Sequence, residues 1–172
     1  MRKTAEDKKA ALLADVVAAR SEILDAARAL SPAQQTEVFL GTWSARELLA
    51  HLIGWDRANV RAARELQRGE LPSFYAYRDP DWRSYNARLV SRHRRGTFRE
   101  LLRATQESQV KLIAFFSRVP AIEFEKDQGV RFRGYKVTLA RLLQADAKDV
   151  RVHAAQLRRF AAGGNGTREG AG

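Results

Sequence analysis

Four long segments of this chain repeat apolar residues at helical spacing, and Pro or Gly closes each one. That periodicity leaves room for little besides packed helices. The first segment, about Ala5 to Ala29, carries Leu12, Leu13, Val16, Val17, Ile23 and Leu24 and stops at Ser31-Pro32. The second opens at Thr42-Trp43-Ser44 and lasts to about Gln67, before Arg68-Gly69 and Leu71-Pro72. The third spans about Asp81 to Arg118, with an interruption expected near Gly96. Leu101, Leu102, Val110, Ile113 and Phe116 are its expected buried face, and Val119-Pro120 its end. The fourth runs from Thr138 to about Ala162 on Leu139, Leu142, Leu143, Val150, Leu157 and Phe160. The fold class expected is all-α: a four-helix bundle with a long connection between helices two and three. Only Val130-Arg131-Phe132 reads as an extended piece.

The starts of two helices carry capping boxes. Ser44 with Glu47, and Thr97 with Glu100, place a hydroxyl and a carboxylate three residues apart at the free N–H groups of a first turn. Trp43, just ahead of Ser44, suits a hydrophobic staple. One domain is expected over residues 1–162, followed by a Gly-rich, aperiodic tail over 163–172.

His51 falls inside the apolar stripe of helix two, among Leu48, Leu52 and Trp55. An inward imidazole needs a partner, since burying an unpaired polar group is costly. Helix four offers candidates. Asp149 and His153 are spaced i, i+4, so they share a face one turn apart, and Asp146 lies near that face. Two readings fit this spacing. The three residues could form a two-His, one-carboxylate metal set with coordination positions left open. Equally, His51 could pair with Asp149 or Asp146 as a buried structural contact. Asn59, two turns from His51, faces the same way and is a candidate pocket residue. The aromatic connection holding Tyr75 and Tyr77 would shape the pocket with Trp55. His93, flanked by Arg residues, reads as a solvated surface histidine.

Composition narrows the chemistry. The absence of cysteine excludes disulfides, zinc–thiolate sites and a cysteine nucleophile. No phosphate-binding loop, nucleophile elbow or His-Glu-x-x-His motif occurs. The charged stretch Met1 to Ala10 has no apolar core of a secretory signal, and no apolar run has the length of a membrane span. A cytoplasmic location without membrane contact is therefore expected. The net charge is +11, from 31 Lys and Arg against 20 Asp and Glu. These cations spread over every segment and bunch only at Arg92 to Arg95, without an aromatic-basic stripe. A basic nucleic-acid-associated bundle is thus kept only as an alternative.

Trp43-Ser44-Ala45-Arg46-Glu47-Leu48-Leu49-Ala50-His51-Leu52-Ile53-Gly54-Trp55 resembles the helix-two signature of the DinB/YfiT-like superfamily of bacterial four-helix bundles. The run from Asp149 to Phe160 resembles that family's helix-four signature. The resemblance implies an up-down-down-up bundle and a divalent metal held by three histidines. Carried over residue by residue, those positions are His51, Asp149 and His153, with Asp where the family has its middle His. Carboxylate still ligates nickel, zinc, manganese or iron. Known family activities include metal-dependent hydrolysis and transfer or isomerisation with low-molecular-weight thiols. The implied protein is a small-molecule enzyme, hydrolase or thiol transferase, in detoxification or stress response. Asp146 is expected as a base or as support for the ligands. Trp55-Asp56, the Gly69–Pro72 turn and Trp82-Arg83-Ser84-Tyr85-Asn86-Ala87 are also similar to the DfsB/ClbS-type branch, linked to self-protection against reactive natural products, where the metal set need not be present. Paired bundles, giving a homodimer, would be natural.

Overall fold

Capping side chains mark where the helices begin in the computed structural model, which describes residues 3–163. Thr4 starts α1 (Ala5–Arg28), Ser44 starts α2 (Ala45–Gln67) and Thr97 starts α4 (Phe98–Arg118), each with a complete capping box. Thr138 caps α5 (Leu139–Ala161) by accepting from the Arg141 amide. The tail expected over 163–172 lies, beyond Gly163, outside the described residues.

The expected third helix is two helices. α3 (Arg83–His93) ends before Gly96, and α4 restarts after it. Gly96 has φ +104°, a conformation that side-chain-bearing residues rarely adopt, so the chain turns there at little cost. The interruption expected near Gly96 is thus present, and the described residues hold five α-helices. A second glycine matters for a different reason. A Cβ at Gly54 would lie 2.6 Å from Leu89 Cβ, so the missing side chain is what lets α3 lie against α2.

The long connection after α2 contains two short 3₁₀ turns, Ser73–Ala76 and Pro80–Trp82. Residues 131–136 form a small antiparallel hairpin, β1 (Arg131–Phe132) and β2 (Tyr135–Lys136). Its turn residues, Arg133 and Gly134, both have positive φ, as a tight two-residue hairpin requires.

α1 packs on α5 and α4, while α2 packs on α3, α4 and α5. Ile23, Leu48, Leu49, Leu112, Phe116, Leu143 and Leu157 are fully buried between them. The face α4 turns inward differs from the apolar reading. Val110 is exposed, and Thr105, Ser108 and Gln109 are buried instead. They are satisfied there: Ser108 donates to Asp56, and the Gln109 amide donates to the Val16 carbonyl on α1. The same polar layer holds Arg20 and Asp56, joined by two hydrogen bonds of 3.1 and 2.7 Å with both side chains 1% exposed. Among the described residues, no helix is long and apolar enough to cross a membrane.

Candidate metal centre and its cleft

The start of α2 at Ser44 sets the phase of everything after it. Two turns on, His51 points inward between Leu48 and Leu52 and is only 3% exposed. Neither of its ring nitrogens has a hydrogen-bond partner. α5 brings Asp149 and His153 to the same place. Asp149 Oδ2 stands 3.6 Å from His51 Nε2 and 3.4 Å from His153 Nε2. One ligand atom from each of the three lies within 4.8 Å of the others.

These spacings are long for hydrogen bonds. The two Asp149 spacings suit donors that converge on a shared point, since ligands about 2.1 Å from one cation sit roughly 3–3.5 Å apart. The unpartnered buried nitrogens of His51 are the second sign that the donor set fits a metal. His153 is 8% exposed, whereas the Asp149 side chain is 55% exposed. Asp149 thus opens towards the cleft rather than into the core, as an exchangeable coordination site needs.

The electrostatics follow from burial and from this carboxylate. Burial pulls the His51 pKa down, partly opposed by Asp149, which leaves a neutral imidazole with a lone pair to give. Burial would lower His153 as well, but the contact with Asp149 outweighs it and the net shift is upward. For Asp149 burial raises the pKa, and the two imidazoles together more than reverse that, holding it below the usual carboxylate range. His153 Nδ1 faces Gln156 Oε1 at 2.8 Å. An amide oxygen only accepts, so Nδ1 carries a proton, and in the neutral ring the Nε2 lone pair is the one left facing Asp149 and His51.

Asp146 lies one turn before Asp149. Its Oδ1 accepts from the Asn59 amide at 3.0 Å, and its Oδ2 is buried without a partner. Burial pushes its pKa up to about 7. Asn59 and Asp146 both line the cleft, together with His51, Asp149 and His153.

The cleft has a volume of about 840 Å³, within the range of small-molecule sites. Its wall is aromatic. Trp55 meets Phe74 at 5.2 Å between ring centres, Phe74 meets Tyr75 at 4.3 Å, and Tyr75 meets Phe132 of β1 at 4.2 Å. Trp82 joins them 6.1 Å from Phe74. It is delivered by two consecutive residues with positive φ, Asp81 and Trp82. Such backbone is unfavourable for non-glycine residues; ring packing and the Trp82 indole bond to the Phe74 carbonyl offset the cost.

Of the residues expected to shape the pocket, Trp55, Asn59 and Tyr75 line it, and Tyr77 does not. Tyr77 packs behind the wall on Tyr85, and its hydroxyl accepts from Arg88. Tyr75 lies in the 3₁₀ turn Ser73–Ala76 and Tyr77 caps its end; at three residues per turn, side chains two positions apart point in different directions. Trp43 lines the cleft, 4.9 Å from the His51 ring centre. His93 is half-buried, and burial lowers its pKa.

Sequence reasoning missed Gln156, the Arg20–Asp56 pair and the hairpin's share of the cleft. Gln156 was within reach, since a ligating histidine needs a partner for its other nitrogen and i+3 on a helix is a natural place. Arg20 and Asp56 each look like ordinary surface charges until the helices are packed.

The family model described as DinB superfamily matches residues 15–157. No curated protein and no solved structure matches the chain.

Proposed function

This chain belongs to the DinB superfamily, and from that premise we propose that it is a divalent-metal-dependent enzyme acting on a small molecule. The reaction is a hydrolysis or a transfer that uses a low-molecular-weight thiol, in detoxification or stress response in the cytoplasm. The observation that carries the reading is the convergence of two buried imidazoles and a carboxylate, one imidazole with no other partner. His51, Asp149 and His153 hold nickel, zinc, manganese or iron. We take the helices as an up-down-down-up bundle in which α3 and α4 are one interrupted segment.

The cation supplies Lewis acidity, which polarises a substrate carbonyl or eases ionisation of water or a thiol. The rest falls to the protein. Gln156 holds His153 in the tautomer that leaves Nε2 free. Asn59 holds Asp146 through Oδ1, and Asp146 takes up and returns a proton at Oδ2. A pKa of about 7 suits that task, because a general base works best near the operating pH. The aromatic wall holds the apolar part of the substrate and excludes water. The chain has no cysteine, so a thiol, where one is used, arrives as co-substrate.

A second reading rests on Asp149 itself. Its Oδ2 faces both imidazoles, which also fits a carboxylate pairing with the histidines without metal, the arrangement expected if this chain is a metal-free protein of the DfsB/ClbS type. Metal content of untagged protein, by elemental mass spectrometry beside an Asp149→Ala variant, separates the two. Near-stoichiometric metal in the wild type, lost in the variant, is the expected result. Metal absent from both after reconstitution with nickel, zinc, manganese and iron would overturn the metal reading and leave the bridged pair.

A further inference from the structure

The chemistry of the cleft changes from one end to the other. At one end stand the three candidate ligands and Asp146. At the other, the hairpin and the first turn of α5 bring Arg133, Lys136 and Arg141 into the lining. Lys136 shares Asp127, at 3.2 Å, with Arg131. Among the described residues the Arg141 side chain bonds a neutral group, the Lys136 carbonyl at 2.9 Å, and forms no ion pair. Arg133 leans over the Phe132 ring, 5.1 Å from its centre, and forms no ion pair among the described residues. Its place is fixed by the turn, where a positive φ of 48° lifts it beside the aromatic wall.

Between the two ends, the wall offers apolar faces and few free polar groups. The Trp55 indole N–H is spent on Asn86 and the Trp82 indole N–H on the Phe74 carbonyl. Such a surface favours flat, apolar bodies, with the Tyr75 and Tyr135 hydroxyls as polar groups among them. Three acids line the cleft. Asp149 lies between the imidazoles and Asp146 is tied to Asn59; the third, Asp81, stands in the 3₁₀ turn before α3 and forms no ion pair with either arginine among the described residues. Two guanidinium groups at the hairpin end therefore form no ion pair with a carboxylate among the described residues.

We infer that the cleft takes an aromatic anion, its flat body along Trp55, Phe74, Tyr75 and Phe132 and its carboxylate or phosphate at Arg133 and Arg141. The guanidinium fork is the side chain best matched to either head group. The inference rests on the proposed function for one point: the bond that reacts is the one presented to the His51, Asp149 and His153 end. The net charge of +11 draws such ligands in, so association weakens as salt rises.

The test is binding, measured by calorimetry and tryptophan fluorescence on chelator-treated, metal-free protein, so that no ligand is held by a metal. The probes are naphthoate, naphthyl phosphate, the neutral naphthamide and the cationic naphthylmethylammonium. At least one of the two anions should bind at least tenfold more tightly than naphthamide. In the Arg133→Gln/Arg141→Gln variant that preference should collapse to within about threefold, while naphthamide affinity stays unchanged. Preference for naphthoate alone or for the phosphate alone supports the inference and identifies the head group. Equal affinity for anion and amide, a preference that survives the double variant, tighter binding of the ammonium, or no binding of either anion would overturn it. Because the readout needs no metal, a failed metal-content experiment leaves this result standing, and the reverse holds too.

Discussion

His153 Nδ1 and Gln156 Oε1 are 2.8 Å apart, one turn of α5 separating their backbones. That contact decides which nitrogen of His153 is free to bind. Removing it in Gln156→Ala should lower metal affinity by roughly tenfold to a hundredfold, the usual effect of losing a group that orients a ligand. Competition with a chromogenic chelator measures it. The melting temperature of the metal-free protein should barely move, because Gln156 is only partly buried.

Metal should stabilise the fold. At free metal a hundredfold above Kd, binding to the native state alone contributes about 2.7 kcal/mol. For a domain of this size that is a rise of roughly 5–10 °C in Tm. Differential scanning fluorimetry with and without added nickel or zinc should show the rise in the wild type and its loss in Asp149→Ala. Equal shifts in both proteins would place the metal elsewhere.

Asp146 should make stability fall as pH rises. Its folded-state pKa, about 7, lies above the unfolded value of 3.8, so the native state keeps a proton that the unfolded chain releases. Its contribution is fully present below about pH 4 and is lost as pH rises towards 7. His51, held neutral by burial, acts in the opposite sense near its own range. Comparing the wild type with Asp146→Asn, both metal-free, isolates the Asp146 part. The variant should gain on the wild type by on the order of 2–4 kcal/mol between pH 4 and pH 8. Urea unfolding at several pH values reads this directly, and parallel curves would refute it.

Arg20 and Asp56 should behave as a unit. Removing one partner, in Asp56→Asn or Arg20→Met, leaves a charge or its donors uncompensated in the core and should cost about 3–5 kcal/mol. Replacing both, in Arg20→Met/Asp56→Leu, should cost less than the sum of the single changes. Chemical denaturation of the three variants gives the coupling.

The helices and their starts were legible in the chain because caps and periodicity are local. Ser44 with Glu47, and Thr97 with Glu100, need only a few neighbours to act, and both capping boxes are present. The polar breaks in the stripes were legible for the same reason: His51, Asp149 and His153 stand out against Leu and Ala at fixed phase. The inward face of α4 was not. Ser108 and Gln109 are buried because α2 and α1 supply their partners, and Thr105 because its hydroxyl bonds back to the Leu101 carbonyl of α4; no apolar periodicity of α4 records that.

By itself, then, the sequence determined an all-helical chain, the ends of its helices and which polar residues interrupt their apolar faces. Those features depend on backbone propensity and on spacing within a few turns. Tertiary structure alone decided that His51 meets Asp149 and His153, that Arg20 finds Asp56, that Tyr75 enters the cleft while Tyr77 stays behind it, and that the hairpin brings Arg133 to its mouth. Each of these joins residues far apart in the chain. Their proximity comes from how whole helices pack, and the burial that shifts their pKa values exists only once that packing has formed.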